Sequence, residues 1–109
     1  MRNPTDKELR KWINKLIQSR LKIHHDKENR RFELDINGEI AKVDYQLRKD
    51  KMYLVHSEVP HHLRNQGIGK VLVEKTFEKL VDEGYKTVAI CSFIKRVAEQ
   101  NEKWKKIID

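Results

Sequence analysis

One cysteine, Cys91, stands in a chain of 109 residues, so no internal disulfide can form. No apolar run approaches the roughly 18 residues that a membrane-spanning helix needs, and Met1 to Lys11 lack the apolar core of a signal peptide. Together these absences point to a reducing, cytoplasmic compartment and to no membrane partner. Repeats, linkers and low-complexity tracts are missing too. The histidines His24-His25 and His61-His62 come as adjacent pairs, whose side chains point apart in extended chain. No cysteine or carboxylate cluster completes a ligand set around them, and no metal is expected.

What is present is charge. Charged residues make up 38% of the chain and the net charge is +7. Met1 to Arg31 carries ten Lys/Arg against four Asp/Glu, whereas Phe32 to Asp109 is nearly balanced. Such a basic segment can steer anions, including nucleic acid. Trp12, on the apolar stripe, is the single aromatic residue in this segment, so the interleaving that base stacking uses is missing, and a solvated helix face is favoured over a nucleic-acid site. The length suits one domain, which buries roughly two-thirds of the surface of its unfolded chain.

Thr5 and Glu8 form a capping box after Pro4, and Leu9, Trp12, Ile13, Leu16 and Ile17 follow at helical spacing, predicting an amphipathic helix that ends near Arg20. Its stripe is expected to pack on the domain, and it could also serve a homodimer. Leu21 to His25 reads as a short strand. Phe32, Leu34 and Ile36 alternate with Glu33 and Asp35, Asn37-Gly38 is a hairpin turn, and Ile40, Val43, Tyr45 and Leu47 continue into a second strand. After a polar turn over Arg48 to Lys51, Met52 to Val59 is a third strand. Strict alternation puts Tyr53, Val55 and Val59 on one face, with Leu54, His56 and Glu58 on the other. Pro60 ends it. Gly67 to Glu83 is the strongest helix, with Ile68, Leu72, Val73, Phe77, Leu80 and Val81 apolar and Gly84 as its stop. Lys86 to Ser92 is a strand, and Ile94 to Lys103 or beyond a second helix. The first half is a meander and the second a β-α-β-α unit with a right-handed parallel crossover.

Arg64-Asn65-Gln66-Gly67-Ile68-Gly69 sits where a loop leaving a strand becomes a helix. The first helical amides lack intrahelical partners and carry partial positive charge. A phosphate there can accept several hydrogen bonds, and glycine lets the backbone approach it closely. Arg64 and Lys70 add formal charge. A P-loop needs four residues between its glycines and Ser or Thr after its lysine; one residue separates Gly67 from Gly69, and Val71 follows Lys70. A dinucleotide fingerprint needs a third glycine where Leu72 stands. Both are excluded.

The spacing Arg-x-x-Gly-x-Gly after a strand resembles the acetyl-coenzyme A loop of the GNAT superfamily of N-acetyltransferases. Ser57-Glu58-Val59-Pro60, then Arg64 to Gly69, then Cys91-Ser92-Phe93 is similar to its small, single-domain YjdJ-type branch. The likeness covers residues 21–109, leaving 1–20 as an N-terminal helical extension. It implies an α+β fold, a three-layer α/β/α arrangement with a mixed, mostly antiparallel sheet. The strands Met52–Val59 and Lys86–Ser92 would be parallel and splay apart at their ends. It implies acetyl-CoA as cosubstrate, with the pantetheine arm along Glu58 and Val59 and the pyrophosphate on Arg64, Asn65, Gln66, Gly67, Ile68, Gly69 and Lys70. Cys91, Ser92, Phe93 and Asn101 would complete the cofactor contacts, and the acceptor would be an amine of a small molecule, peptide or protein.

Amine acylation requires a neutral nitrogen, so a base is needed. Glu58 is one candidate, although an ordinary carboxylate is too weak a base unless burial raises its pKa. His56 is better matched. In the branch it resembles, a cysteine at the place of Cys91 is a candidate acyl acceptor or catalytic group. Relatives carry a tyrosine on the helix after the last core strand as general acid; here Phe93 and Val97 fill that region. Two alternatives follow: a coenzyme A-binding module with little activity, and a nucleic-acid or ribosome-associated protein using the basic N-terminal helix.

Overall fold

A computed structural model describes residues 21–109 of the protein, in which an antiparallel meander precedes a parallel crossover. The strands are β1 (Ile23–Asp26), β2 (Arg31–Ile36), β3 (Glu39–Arg48), β4 (Lys51–Glu58) and β5 (Lys86–Ala89). They lie in sequence order in one sheet, antiparallel except for the parallel pair of β4 and β5. The helices are α1 (Ile68–Glu83), α2 (Ser92–Glu99) and α3 (Glu102–Lys105), with a 3-10 turn over His61–Leu63 before α1. The α+β class and mixed sheet expected from the sequence are those observed. No described helix is long and apolar enough to cross a membrane.

The alternating pattern explains the core. Phe32 and Leu34 of β2, Ala41 and Val43 of β3, Met52 and Leu54 of β4, and Ala89 of β5 are buried on one face. Across from them α1 places Leu72, Val73, Phe77 and Leu80, and Ile94 and Val97 of α2 and Trp104 of α3 join the same cluster. The rings of Phe77 and Trp104 lie 5.3 Å apart. The two hairpins turn through residues with positive φ, Asn37 and Gly38 in one and Lys49 and Asp50 in the other, as two-residue loops require. No described helix covers the opposite sheet face. The helical extension expected over residues 1–20, and any layer it would form, falls outside the described residues.

His25 fastens the first strand to the far end of α1. Its ring stacks on Phe32 at 4.2 Å, its Nδ1–H donates to Glu83 at 2.7 Å, and Nε2 meets the Tyr45 hydroxyl at 2.6 Å. Burial, then the neighbouring Tyr85 and Glu83, pushes the Tyr45 pKa up.

Two boundaries, and the burial of three apolar residues, differ from the sequence reading. The last strand stops at Ala89 rather than Ser92, because the amides of Ile90 and Cys91 both donate to the Leu54 carbonyl and the chain turns away. The second helix breaks at Gln100, where Asn101 adopts extended backbone and its Oδ1 accepts the Lys103 amide at 2.9 Å to start α3. Ile40, Leu47 and Val81, read as continuing apolar runs, are exposed; Ile40 takes the uncovered face because its neighbour Ala41 takes the core.

Candidate functional site

The decisive local event is a β-bulge in β4. Tyr45 pairs with Leu54, but Asp44 pairs with His56, which leaves Val55 without a partner. An extra residue reverses the alternation beyond it. Ser57 therefore pairs with the buried Val43 and turns toward the helices, as does Val59, while His56 and Glu58 pair with Asp44 and Lys42 on the uncovered face. The simple alternation read from the sequence, with Val59 on the side of Tyr53, is corrected by this insertion.

The same strand loses its neighbour. The ladder between β4 and β5 runs only from Lys51–Lys86 to Leu54–Ala89. Past that point the strands part, as the resemblance implied, and β5 offers β4 no partner beyond the Leu54 carbonyl. A cleft of about 610 Å³ opens there, lined by residues from His56 to Val59, by Arg64, Asn65, Gly67, Gly69 and Lys70, and by Phe93. His62 pairs with Glu39, holding the 3-10 turn beside the cleft.

The helix that meets the cleft is left open to an anion. Gly67 enters it in left-handed geometry, no side chain caps it, and its first turn has no acidic residue. The amides of Ile68, Gly69 and Lys70 are those that a helix cannot satisfy internally. Arg64 is held at the rim, its Nε donating to the Val59 carbonyl at 3.1 Å. Gln66 does not line the cleft but donates to the His62 carbonyl at 3.2 Å, bracing the loop. Gly69 packs under Phe93: a Cβ there would come within 3.0 Å of Cζ of that ring.

Behind Ser57, Cys91 precedes α2, with Sγ 3.7 Å from the Ser57 hydroxyl. Burial pushes its pKa up, but the amides of Ile94 and Phe93 and the Ser57 hydroxyl outweigh burial, and the net shift is downward. A depressed thiol pKa keeps thiolate present below the ordinary range. Alkylation of Cys91 by iodoacetamide, followed by mass spectrometry against pH, is expected to show a midpoint below that of a free cysteine peptide. Ser57→Ala is expected to raise that midpoint; an unchanged midpoint would remove the hydroxyl from the account.

This geometry can be set beside known proteins. The family model for GCN5-related N-acetyl-transferase matches residues 31–107, nearly the whole described sheet and its helices. The chain belongs to the GCN5-related N-acetyltransferases. It is 32% identical over 89 residues to Protein NATD1 of Danio rerio, covering 78% of this chain and 80% of that one. It is 30% identical over 84 residues to Protein NATD1 of Homo sapiens, covering 74% of each. The solution structure of a GCN5-like protein from Staphylococcus aureus superimposes with a TM-score of 0.61 at 26% identity, over 84% of this chain and 90% of that one.

Within this N-acetyltransferase fold, the residues singled out from the sequence do not all meet. His56, Glu58, Val59, Arg64, Asn65, Gly67, Gly69, Lys70 and Phe93 converge on the cleft. Cys91 does not line the cleft itself but stands behind it, against Ser57. Ile68 is partly buried behind the loop, Ser92 is exposed at the start of α2, and Asn101 spends its side chain capping α3 rather than lining the cleft. In the sequence Ser57 has no role beyond its place in the run that carries the resemblance, and Lys42 and Asp44 have none. Only the bulge reveals Ser57, and only the β3–β4 register brings Lys42 and Asp44 to Glu58 and His56.

Proposed function

We propose that the cleft binds the coenzyme A part of an acetyl thioester and that the protein transfers the acetyl group to an amine. The observation that carries this reading is the uncapped start of α1, flanked by Arg64 and Lys70, opening onto the end of β4 that β5 leaves unpaired. The amides of Ile68 to Lys70 and the two cations suit a pyrophosphate. The absence of a side chain at Gly69 lets it approach. The free edge of β4 near Glu58 and Val59 offers backbone groups to the amide-bearing pantetheine arm, in the manner of an added strand. The thioester supplies an activated acetyl group with a thiolate leaving group. The chain's own residues position it, and Glu58 and His56 stand where an amine's proton could be taken. Cys91, with its depressed pKa, stands behind the lining residue Ser57.

Thermal unfolding with and without acetyl-CoA, comparing wild type with Arg64→Ala, tests the reading. At 100 times the dissociation constant a ligand stabilises by about 2.7 kcal/mol, which raises the midpoint of a domain this size by roughly 10 °C. The shift is expected in wild type and reduced in the variant. No shift at millimolar acetyl-CoA would make the loop a structural turn. A shift with no turnover on any amine would leave a coenzyme-binding module.

A further inference from the structure

The cleft has two mouths of different character. Toward the helices stand Arg64, Lys70 and the α1 amides, a surface for an anion. The uncovered sheet face beside Glu58 is the reverse. There Lys42 Nζ lies 3.7 Å from Asp44 Oδ2 and 3.7 Å from Glu58 Oε2, and His56 Nε2 lies 4.0 Å from the same Glu58 oxygen. An ammonium group thus already sits between two carboxylates at the edge of the cleft. Along the same face runs an apolar strip: Tyr53 and Val88 are paired in register, Val55 is pushed outward by the bulge, and Ile90 is 55% exposed where β5 turns away. A large aliphatic side chain held in water next to the parting strands has no packing role in the described residues.

We infer that the acceptor is a cationic primary amine on an apolar stem. It enters from the uncovered face, its stem on Val55, Val88 and Ile90 and its ammonium taking the place of Lys42 between Asp44 and Glu58. This rests on the thioester reading of the cleft. The carboxylates attract the protonated amine and disfavour acceptors bearing a carboxylate of their own. One proton leaves the ammonium for Glu58 or His56, and the freed nitrogen lone pair attacks the thioester carbonyl carbon. The C–N bond forms, the C–S bond breaks, and the sulfur leaves with its electron pair. The second nitrogen proton completes the coenzyme thiol, so the products are amide, thiol and one proton. Asp44 and Lys42 then set specificity rather than perform the transfer.

Steady-state kinetics with acetyl-CoA and four amines tests this: phenethylamine and Nα-acetyl-lysine amide as cationic amines on apolar stems, glutamate as an anionic amine, and aniline as an uncharged one. The kcat/KM values for the first two are expected to exceed those for glutamate and aniline by at least about tenfold. Asp44→Asn is expected to raise KM for both cationic amines by about tenfold, with the smaller part of the loss in kcat, and Asp44→Glu to restore it. Lys42→Met, which removes the internal competitor, is expected to lower KM. A preference for glutamate or aniline, a KM unmoved by Asp44→Asn, or no turnover of either cationic amine would overturn the inference. The acetyl-CoA thermal shift in the same preparations separates the two failures. If it persists, only the acceptor assignment falls; if it is absent, the thioester reading falls as well.

Discussion

Phe77→Ala is expected to lower the unfolding free energy by about 3–5 kcal/mol, the range for deleting a fully buried aromatic ring. Phe77 has no exposed surface and lies midway along α1. On one side it meets the buried face of the sheet, and on the other its ring touches Trp104. It therefore joins α3 and the sheet to α1, and alanine leaves a void that neither side can close without moving the helix. Against a typical total of 5–15 kcal/mol, the loss should depress the melting midpoint by roughly 15–30 °C. Phe77→Leu, which refills most of the volume, should cost under about 1.5 kcal/mol. Urea unfolding followed by circular dichroism measures both. A loss below 1 kcal/mol for the alanine variant would show that α1 does not close over the sheet as described.

The second large effect is a separation of stability from binding at the two glycines of the loop. Gly67 has φ +79 and nothing within 4 Å of where a Cβ would be, so Gly67→Ala should cost about 1 kcal/mol of backbone strain and leave acetyl-CoA binding largely in place. Gly69 has ordinary helical backbone, but its Cβ would press on Phe93 at 3.0 Å, and Val59 Cγ2 stands 3.7 Å away. Gly69→Val should therefore displace Phe93, cover the open amides and remove the acetyl-CoA thermal shift at concentrations that saturate wild type. Unfolding without ligand should change far less, since valine has the better helix propensity and offsets part of the crowding. If both variants lost the shift equally, the close approach at Gly69 would not be what the ligand needs.

The legible parts of this protein are those in which chemistry and periodicity are local. The alternation of Phe32, Leu34 and Ile36, the Asn37-Gly38 turn and, Val81 apart, the apolar stripe of Ile68–Glu83 each appear as read. The loop from Arg64 to Lys70 likewise leads into a helix start as read, because glycines and flanking cations at such a place are a short-range arrangement. What could not be read depends on partners distant in the chain. Lys86 to Ser92 looks like a longer strand by composition, yet β5 ends where β4 ceases to offer it a register. Asn101 reads as one more residue of a helix until its extended backbone makes it a cap. The facing of His56 and Glu58 is set by pairing with β3, and no property of either residue announces that Val55 is passed over.

That skipped residue makes the outer end of β4 depend on length more than on identity. A substitution at Val55 alters one side chain. The loss or gain of a single residue between Met52 and Glu58 would roll the strand end through half a turn, exchanging Ser57 and Val59 with His56 and Glu58 as a set. The loop from Lys27 to Arg30, which joins two strands at the sheet's edge, has no such parity to keep. Variation in chain length among proteins of this architecture should therefore be admitted at that loop and refused in the seven residues leading to the cleft. There, counting along the strand decides which groups face the helices and which face the water.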